Sequence, residues 1–312
     1  MVDLDQAYAS CAHDARAHYE NFPVASRLLP RDMRRHVAAV YAFARAADDF
    51  ADEGSRTVEE RYRLLDAWKV RLLQAVREEG ASPGDGGPPG DGEPAHTREI
   101  FAALGATIRA KRLPLELFED LLSAFRQDVT ITRYQAWSDV FDYCRRSANP
   151  VGRLVLRIGG YRDDRLDQWS DSICTALQLT NFWQDVKIDC DRGRIYLPAE
   201  ERDAHGADEQ ALAEGRLTVG WEQAIAAAVD RTRELFVSGR PLCDSLRGRL
   251  RYEIRATWLG GMRMLRRLES RRFDVVSARP TLGLVDAAWL GAAVVAWPFS
   301  AGVREGSGVA RP

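Results

Sequence analysis

The sequence lacks the features that mark several classes of protein. Its five cysteines are scattered, with no C-x-x-C pair and no histidine at metal-ligand spacing, so the simplest interpretation is a protein of the reducing cytoplasm. Lysine and arginine total 44 against 46 aspartates and glutamates, a balance that gives no electrostatic reason to expect nucleic-acid binding. The N-terminus has neither a basic start nor an apolar core, so we expect no signal peptide.

Strand signals are also absent. Most segments space their apolar residues by three and four, which predicts an almost entirely helical protein. Residues 80–94 are rich in glycine, proline and aspartate and predict a mobile surface loop inserted in a helix connection, with a domain linker as the alternative. Helices are predicted near residues 3–20, 31–52, 57–79, 95–110, 114–127, 134–146, 150–160, 163–189, 217–239 and 241–270.

The most apolar run of the sequence is AAWLGAAVVAWPF, at residues 287–299. It is shorter than the roughly 20 residues that a membrane-spanning helix needs, and Asp286 and Pro298 bound it. Its length favours a terminal helix docked on the protein over a contact with a membrane surface.

One predicted helix carries polar residues along a single face. Gln178, Asn181, Asp185 and Asp189 follow one another at intervals of three, four and four. Large apolar side chains occupy much of the remaining circumference, so we expect this helix inside the protein, with its acidic face toward a cavity. Two buried carboxylates one turn apart repel each other unless they coordinate a metal ion or pair with distant basic groups.

A second predicted helix has the same character. Arg45, Asp48, Asp49 and Asp52 share one face of it, and the surrounding residues are mostly apolar. Such an acidic pair on its own is usually a solvated helix face or a charge cluster at a helix end. Two buried pairs of equal spacing instead predict a two-walled site, and carboxylates of this kind suit Mg²⁺ held jointly with substrate phosphates.

A diphosphate ester is the substrate that such a site would suit. Metal ions would neutralise the leaving diphosphate, and the aromatic-rich remainder of the cavity would accept a carbocation at its ring faces. Arg45, Gln178 and Asn181 could contact the diphosphate oxygens. The alternatives are a salt bridge from Arg45 to Asp48 or Asp49, and capping or interhelical hydrogen bonds for the two amides.

Three motifs, in order, resemble those of the squalene and phytoene synthases. YAFARAADDFADE at residues 41–53 resembles the first aspartate-rich motif of that family. DYCRRSANPVGRLVLRIGG at residues 142–160 resembles its Tyr-Cys…Val-Gly segment, and LTNFWQDVKIDCDRGRIYLP at residues 179–198 resembles its second aspartate-rich motif. The likeness extends from about His18 to Arg279, which is most of the chain.

The resemblance implies an all-α fold, a single-domain helical bundle of the isoprenoid-synthase type around a central active-site cavity. The synthase-like domain would cover residues 1–284, with a flexible insertion at 80–94. Residues 285–312 would form an apolar segment and tail.

The resemblance also implies roles for individual residues. Tyr143 would act in proton transfer through its hydroxyl or stabilise a cation with its ring, and the alternative is a core tyrosine with a satisfied hydroxyl. The other catalytic residues would be Asp48, Asp52, Asp185 and Asp189, which together with Asn181 would hold two or three Mg²⁺ ions. The implied substrate-binding residues are His18, Asn21, Phe22, Tyr41, Arg45, Gln178, Asn181, Arg194 and Tyr196.

Details of the sequence are similar to one branch, the hydroxysqualene synthases of bacterial hopanoid biosynthesis. They are the opening HYENFPVASRLLP, SANPVG within the middle motif, and NFWQDVKID. That branch would be a lyase that converts presqualene diphosphate to hydroxysqualene, with water capturing the rearranged cation, so no NADPH is expected. The alternatives are a presqualene diphosphate, squalene or phytoene synthase condensing two allylic diphosphates, and a non-catalytic helical assembly factor.

Two positions depart from the family. Asn21 stands where relatives often carry a serine, and Gly260-Gly261 falls where some carry a tyrosine facing the pocket. Each glycine in a helix costs about 1 kcal/mol relative to alanine, so the pair is expected to open room for the substrate or to let helices approach closely. The apolar substrate also implies transient contact with the inner face of a membrane, and coupling to other enzymes of the squalene pathway.

Overall fold

The computed structural model describes residues 2–17, 28–77, 90 and 92–297, and within these ranges the chain forms helices and no strand. The all-α fold predicted from the sequence is therefore confirmed. The helices are α1 (Leu4–Ala17), α2 (Arg31–Asp52), α3 (Val58–Arg77), α4 (Thr97–Lys111), α5 (Glu116–Asp128), α6 (Trp137–Ser147), α7 (Asn149–Ile158), α8 (Asp164–Asp191), α9 (Ala199–His205), α10 (Glu209–Ala213), α11 (Val219–Gly239), α12 (Leu242–Ser245), α13 (Gly248–Ser270) and α14 (Leu284–Val295).

The helix predicted over 241–270 is in fact two helices, α12 and α13. Leu246 between them is extended, with φ −87° and ψ 164°, and its side chain is buried. The backbone N–H of Arg247 donates to the hydroxyl of Tyr161 at 2.9 Å, so this break is fixed by a tertiary contact. The structure also adds α9 and α10, whose seven and five residues are too short for apolar periodicity to reveal.

Helix α8 is the longest element, with 28 residues. It begins after Asp163, whose carboxylate accepts the N–H groups of Arg165 at 2.8 Å and Leu166 at 3.3 Å. Further along, α8 packs against α11, where the indole N–H of the fully buried Trp183 donates to the hydroxyl of Thr232 at 2.8 Å. These contacts hold the helix inside the protein, as its apolar circumference predicts.

Helix α2 is anchored on its apolar side by an aromatic cluster. Phe50 meets the ring of Trp68 edge to face at 5.1 Å, and Phe43 stacks on the same ring at 6.0 Å. The Trp68 indole also donates to the carbonyl of Phe43 at 3.2 Å. Because this side of α2 is fixed in the core, the side that carries Arg45 and Asp48 faces away from it.

Helix α7 packs on both α2 and α8. A Cβ at Gly152 would lie 2.3 Å from the Ser170 Oγ and 2.5 Å from the Cys174 Sγ, so only glycine lets α7 approach α8 this closely. One turn earlier, Thr175 donates to the Asn149 side-chain oxygen at 2.9 Å. The Asn-Pro-Val-Gly segment thus sets the spacing between helices on one side of the cavity.

A cavity lies between α2, α7, α8, α12 and α13. Its lining is mainly apolar, with Val37, Val155, Leu156, Ile173, Leu177, Leu242 and Ile254 among the residues. The lining also includes Thr257 of α13, and Gly260 follows it on the same helix face.

The two glycines of α13 have different roles. A Cβ at Gly261 would lie 2.2 Å from the Cζ of Phe236 on α11, so this glycine permits close helix contact. A Cβ at Gly260 would meet nothing within 4 Å, so this glycine leaves open space. Close helix approach, one of the two alternatives raised by the sequence, therefore applies to Gly261, while room for the substrate at Gly260 stays a prediction.

Residues 287–295 of the apolar C-terminal run lie in α14, which docks on α13 as the length of the run favours. The buried Asp286 carboxylate accepts from Arg263 at 2.7 Å and Arg267 at 2.6 Å, and Trp297 meets Trp258 edge to face at 5.5 Å. The outward face of α14 remains exposed and apolar. No helix within the described ranges is long and apolar enough to cross a membrane.

Candidate active site

The α2 wall of the site consists of Tyr41, Arg45, Asp48 and Asp52. These residues follow one another at intervals of four, three and four, so they form a stripe along one face of the helix. The Asp48 and Asp52 side chains retain 46% and 32% of their exposed area, whereas the flanking apolar residues are buried. The stripe therefore borders open space.

The α8 wall has the same length. Gln178, Asn181, Asp185 and Asp189 are all partly exposed, whereas Leu179, Phe182 and Val186 between them are buried. In the described part of the chain, the side-chain amides of Gln178 and Asn181 take part in no hydrogen bond. The capping and interhelical alternatives for these amides are thus not realised, and both are available to a ligand.

Arg45 is engaged with acids of its own helix. Its guanidinium lies 2.7 Å from Asp49, 2.7 Å from Glu53 and 3.7 Å from Asp48. The salt-bridge alternative therefore describes Arg45 in this structure. Because these pairs are partly exposed, each is weak enough to be exchanged for a diphosphate oxygen.

Arg194 joins the two walls. Helix α8 ends at Asp191, and Gly193, with φ +79°, turns the chain into an extended segment whose Ile195 N–H donates to the Thr132 carbonyl at 3.0 Å. In this segment Ile195 is buried while Arg194 and Tyr196 stay partly exposed. The Arg194 guanidinium lies 2.6 Å from the Asp52 carboxylate, so the end of α8 is linked to the end of α2.

Arg279 is a site residue that the sequence did not reveal. Its guanidinium forms a two-point contact with Asp185, at 2.5 Å and 3.0 Å. The neighbouring Pro280 carbonyl accepts the Gln184 side-chain N–H at 3.0 Å, so this loop is held against α8. Arg279 lies outside any helix and has no helical spacing to an acid, so periodicity gave no signal for it.

One acid on each wall, Asp48 and Asp189, has a raised pKa. Desolvation, with the nearby Asp52 charge, raises the pKa of Asp48 to about 6 although Arg45 opposes the shift. Desolvation, with the Asp185 charge, raises the pKa of Asp189 to about 7. A bound cation between the walls would relieve both repulsions.

The predicted metal ligands are divided between the walls. Among the described residues, no three His, Cys, Asp or Glu side chains converge closely enough to hold a metal ion by themselves. Asp48 and Asp52 face the site from α2, and Asn181, Asp185 and Asp189 from α8, all with hard oxygen donors. This donor set fits Mg²⁺, which commonly takes one or two carboxylates and completes its coordination with water and substrate phosphate.

Tyr143 of α6 lies in a cluster of aromatic rings. Tyr143 is 5% exposed, and its ring centroid lies 6.1 Å from that of Phe182 and 6.0 Å from that of Tyr196. The Phe182 and Tyr196 rings stack on each other, with centroids 3.7 Å apart. The Tyr143 hydroxyl donates to an Asp128 carboxylate oxygen at 2.8 Å. The satisfied hydroxyl predicted as an alternative is present, and its partner is an acid.

Asp128 is the second residue that sequence reasoning missed. It is 6% exposed, and desolvation raises its pKa to about 7 against the Tyr143 hydrogen bond and the Arg194 charge. The available signal was its place on the apolar face of α5, three residues after Phe125 and seven after Leu121. A carboxylate on such a face is expected to be buried, and buried carboxylates are rare unless they have a partner.

Acidic wall residues and residues that line the apolar cavity thus lie on the same helix, α8. Along α8, the cavity-lining Leu177 precedes Asp185 by about 12 Å of helix. A molecule with an anionic head and a long hydrocarbon chain matches this division. The predicted substrate residues His18, Asn21 and Phe22 lie outside the described residues.

Comparison with known proteins agrees with this arrangement. The family described as squalene/phytoene synthase matches residues 15–286. A hydroxysqualene synthase from Rhodopseudomonas palustris is 34% identical over 262 residues, 83% of this chain and 82% of that protein. The crystal structure of squalene synthase HpnC from Alicyclobacillus acidocaldarius has 37% sequence identity and a TM-score of 0.76, covering 86% of this chain and 95% of that one. A dehydrosqualene synthase in complex with a ligand is 21% identical, with a TM-score of 0.80 over 95% of this chain and 98% of that one, and shares the fold.

Proposed function

Since this chain belongs to the squalene/phytoene synthase family, we propose that it converts presqualene diphosphate to hydroxysqualene, as a lyase of bacterial hopanoid biosynthesis. The observation that carries the proposal is the pair of acidic walls on α2 and α8, two helices that also line an apolar cavity through Val37 and Leu177. The similarity to hydroxysqualene synthases favours water as the final reactant.

The residues divide the work by position. Bound Mg²⁺ would supply positive charge to the departing diphosphate, held by Asp48 and Asp52 on one wall and by Asn181, Asp185 and Asp189 on the other. Arg45, Gln178 and Arg194 orient the diphosphate through charge and hydrogen bonds. Tyr41 and Tyr196 contact the substrate beside them. The apolar cavity takes the hydrocarbon chains, and the rings of Phe182 and Tyr196 stabilise the cation.

The direct test is incubation of the protein with presqualene diphosphate and Mg²⁺, without NADPH. We expect hydroxysqualene and diphosphate in equal amounts, identified by mass spectrometry with ¹⁸O-labelled water as the oxygen source. A hydrocarbon product without the hydroxyl, or no turnover, contradicts the proposal.

A second candidate is head-to-head condensation of two allylic diphosphates. It is favoured by the 37% identity to a protein named squalene synthase, and by the open space at Gly260, which leaves room beside the cavity. Farnesyl or geranylgeranyl diphosphate supplied alone separates the two functions. A hydroxysqualene synthase leaves both compounds unchanged, whereas a condensing enzyme consumes one of them.

A non-catalytic assembly factor is the alternative from another class. It predicts that Asp48→Asn and Asp185→Asn change nothing, whereas the catalytic proposal predicts a loss of activity of at least about 100-fold for each. Asp191→Asn is the matched control, because Asp191 is exposed on the same helix and pairs with Lys187. Its activity should stay within a few-fold of wild type.

We place the exposed face of α14 against a membrane surface, at the inner face of the bacterial membrane. Leu284, Val285 and Val295 are 92%, 79% and 83% exposed, and the partly exposed Arg263 and Arg267 of α13 contact the docked helix at Asp286. Apolar side chains beside basic residues suit an anionic bilayer, and an apolar substrate and product must enter and leave through such a surface or through neighbouring enzymes of the squalene pathway.

Flotation with anionic liposomes tests this contact. We expect wild-type protein to float, and the Leu284→Glu/Val295→Glu double variant and the chain lacking residues 285–312 to remain at the bottom. Val219→Glu is the control, since Val219 is 67% exposed on α11. Equal flotation of all four proteins contradicts the contact.

A further inference from the structure

Asp128 is a buried carboxylate that is hydrogen-bonded on one oxygen only. Its Oδ2 accepts from the Tyr143 hydroxyl at 2.8 Å, and its Oδ1 is buried without a hydrogen-bond partner. Arg194 donates to the backbone carbonyl of Asp128 at 3.2 Å, while its other amino group binds Asp52. The carboxylate is therefore not neutralised by a direct ion pair, an arrangement that costs stability.

Asp128 lies near the end of the site where the acidic side chains of α2 would bind the diphosphate. Arg194 joins Asp128 to the last turn of α2 through Asp52. On the other side, the Tyr143 ring contacts Phe182 and Tyr196, the stacked pair beside the α8 wall. Tyr143 thus lies between Asp128 and the ring pair of Phe182 and Tyr196.

We propose that Tyr143 and Asp128 form a proton relay, in which Tyr143 orients the water that captures the carbocation and Asp128 receives the proton. This inference rests on the proposed conversion of presqualene diphosphate to hydroxysqualene. Tyr143 is the group that touches the water, and Asp128 acts through it as a positioning residue and terminal base.

The relay balances atoms and charge. The water oxygen forms a C–O bond with the cation, and one of its O–H bonds breaks as the proton moves to the Tyr143 Oη. At the same time the original phenolic proton passes to the Asp128 Oδ2. The cation, water and carboxylate become an alcohol and a neutral carboxylic acid, and the acid returns its proton to solvent or to the released diphosphate.

Other groups near Tyr143 do not fit the role of acceptor. Arginine side chains have no acceptor atom, and the wall aspartates face the diphosphate and its cations. The Tyr134 hydroxyl accepts from Gln127 at 3.2 Å and makes no hydrogen bond to Asp128. Asp128 is the acid already aligned with the Tyr143 O–H bond, and general acid–base catalysis requires such alignment.

The test compares Asp128→Asn, Tyr143→Phe and the double variant with wild type. Diphosphate release and alcohol formation are measured separately, with presqualene diphosphate and Mg²⁺. We expect the alcohol formed per diphosphate released to fall by about 100-fold or more in each single variant, because general base catalysis is worth about that much. The lost alcohol should reappear as hydrocarbon from proton loss. The double variant should be no worse than the worse single variant, since both residues serve one relay.

Tyr134→Phe is the matched control, because it removes a buried tyrosine hydroxyl from the same ring cluster without touching Asp128. Its product ratio should equal that of wild type. If wild type makes the alcohol and Asp128→Asn forms as much alcohol per diphosphate released, the relay is overturned and the proposed function stands. A wild-type protein that makes no alcohol overturns the relay and the proposed function together. A variant that loses both activities in proportion, with a lowered melting temperature, assigns Asp128 a structural role and also overturns the relay.

Discussion

The buried Asp128 carboxylate lowers the free energy of unfolding, and the size of this effect depends on pH. Its pKa is about 7 in the folded protein and about 4 in an unfolded chain, because burial disfavours the charged form. A raised folded pKa means that folding retains a proton, so stability is highest below about pH 4 and falls as the pH rises toward 7. An asparagine at this position does not titrate, so it does not lose stability in this way as the pH rises.

We therefore expect Asp128→Asn to gain stability relative to wild type as the pH increases. The difference in unfolding free energy should grow by roughly 2–4 kcal/mol between pH 4 and pH 8, measured by urea unfolding. Tyr134→Phe serves as the reference, since it changes no carboxylate. A difference that stays constant over this range would show that Asp128 has the same pKa in both states.

The residues of the two walls could be predicted because helical periodicity fixes which side chains share a face. Gln178, Asn181, Asp185 and Asp189 needed only their spacing to be placed together. Asp185 and Arg279, by contrast, are joined by the docking of a loop from another part of the chain. No local pattern encodes such a contact, so Arg279 and the Tyr143–Asp128 hydrogen bond required the structure.

At the scale of elements, the glycine pair of α13 gives a matched prediction. Gly261→Ala places a Cβ 2.2 Å from the Phe236 ring, so we expect a loss of about 1–3 kcal/mol from overpacking. Gly260→Ala meets nothing within 4 Å and should gain up to about 1 kcal/mol from helix propensity. Urea unfolding of both variants measures the two effects. Equal changes would mean that Phe236 moves aside without cost.

Helix α14 depends on one buried acid. Asp286 is 1% exposed, and the hydrogen bond from the Gly283 N–H, together with those from Arg263 and Arg267, lowers its pKa to about 2. Asp286→Asn removes the charge that Arg263 and Arg267 share, so we expect faster hydrogen exchange across α14 while α2 and α8 keep their protection. Asp230→Asn, at an exposed position on α11, is the control. Unchanged exchange in α14 would assign its docking to Trp297 alone.

Element boundaries were predictable where the signal is local. Asp163 begins α8 because its side chain caps the helix, and the sequence places that helix start at the same residue. The break at Leu246 was missed because the chain on either side keeps helical spacing. A buried Leu246 side chain and a hydrogen bond from Arg247 to Tyr161 impose the bend, and both are tertiary contacts.

At the scale of the whole molecule, the site exists only because helices distant in sequence are brought together. The α2 and α8 walls are spaced by α7, where Gly152 sets the approach to α8. Arg194, which follows the end of α8, forms a direct ion pair with Asp52 at the end of α2. The sequence indicates that both walls belong to one site by their shared character and by family resemblance, while the packing that joins them is a property of the folded chain.

This division of ligands between walls predicts that Mg²⁺ and diphosphate stabilise the protein only together. Among the described residues, no three acidic side chains come close enough together to hold a metal ion. Mg²⁺ without a phosphate partner should therefore bind weakly. Diphosphate without Mg²⁺ should be repelled by the same carboxylates. With both present at about 100 times the dissociation constant, binding adds about 2.7 kcal/mol, and the melting temperature should rise by about 5 °C or more. Asp48→Asn and Asp185→Asn should abolish this joint shift, and Asp191→Asn should retain it. Full stabilisation by either component alone would mean that the walls do not share their ligand.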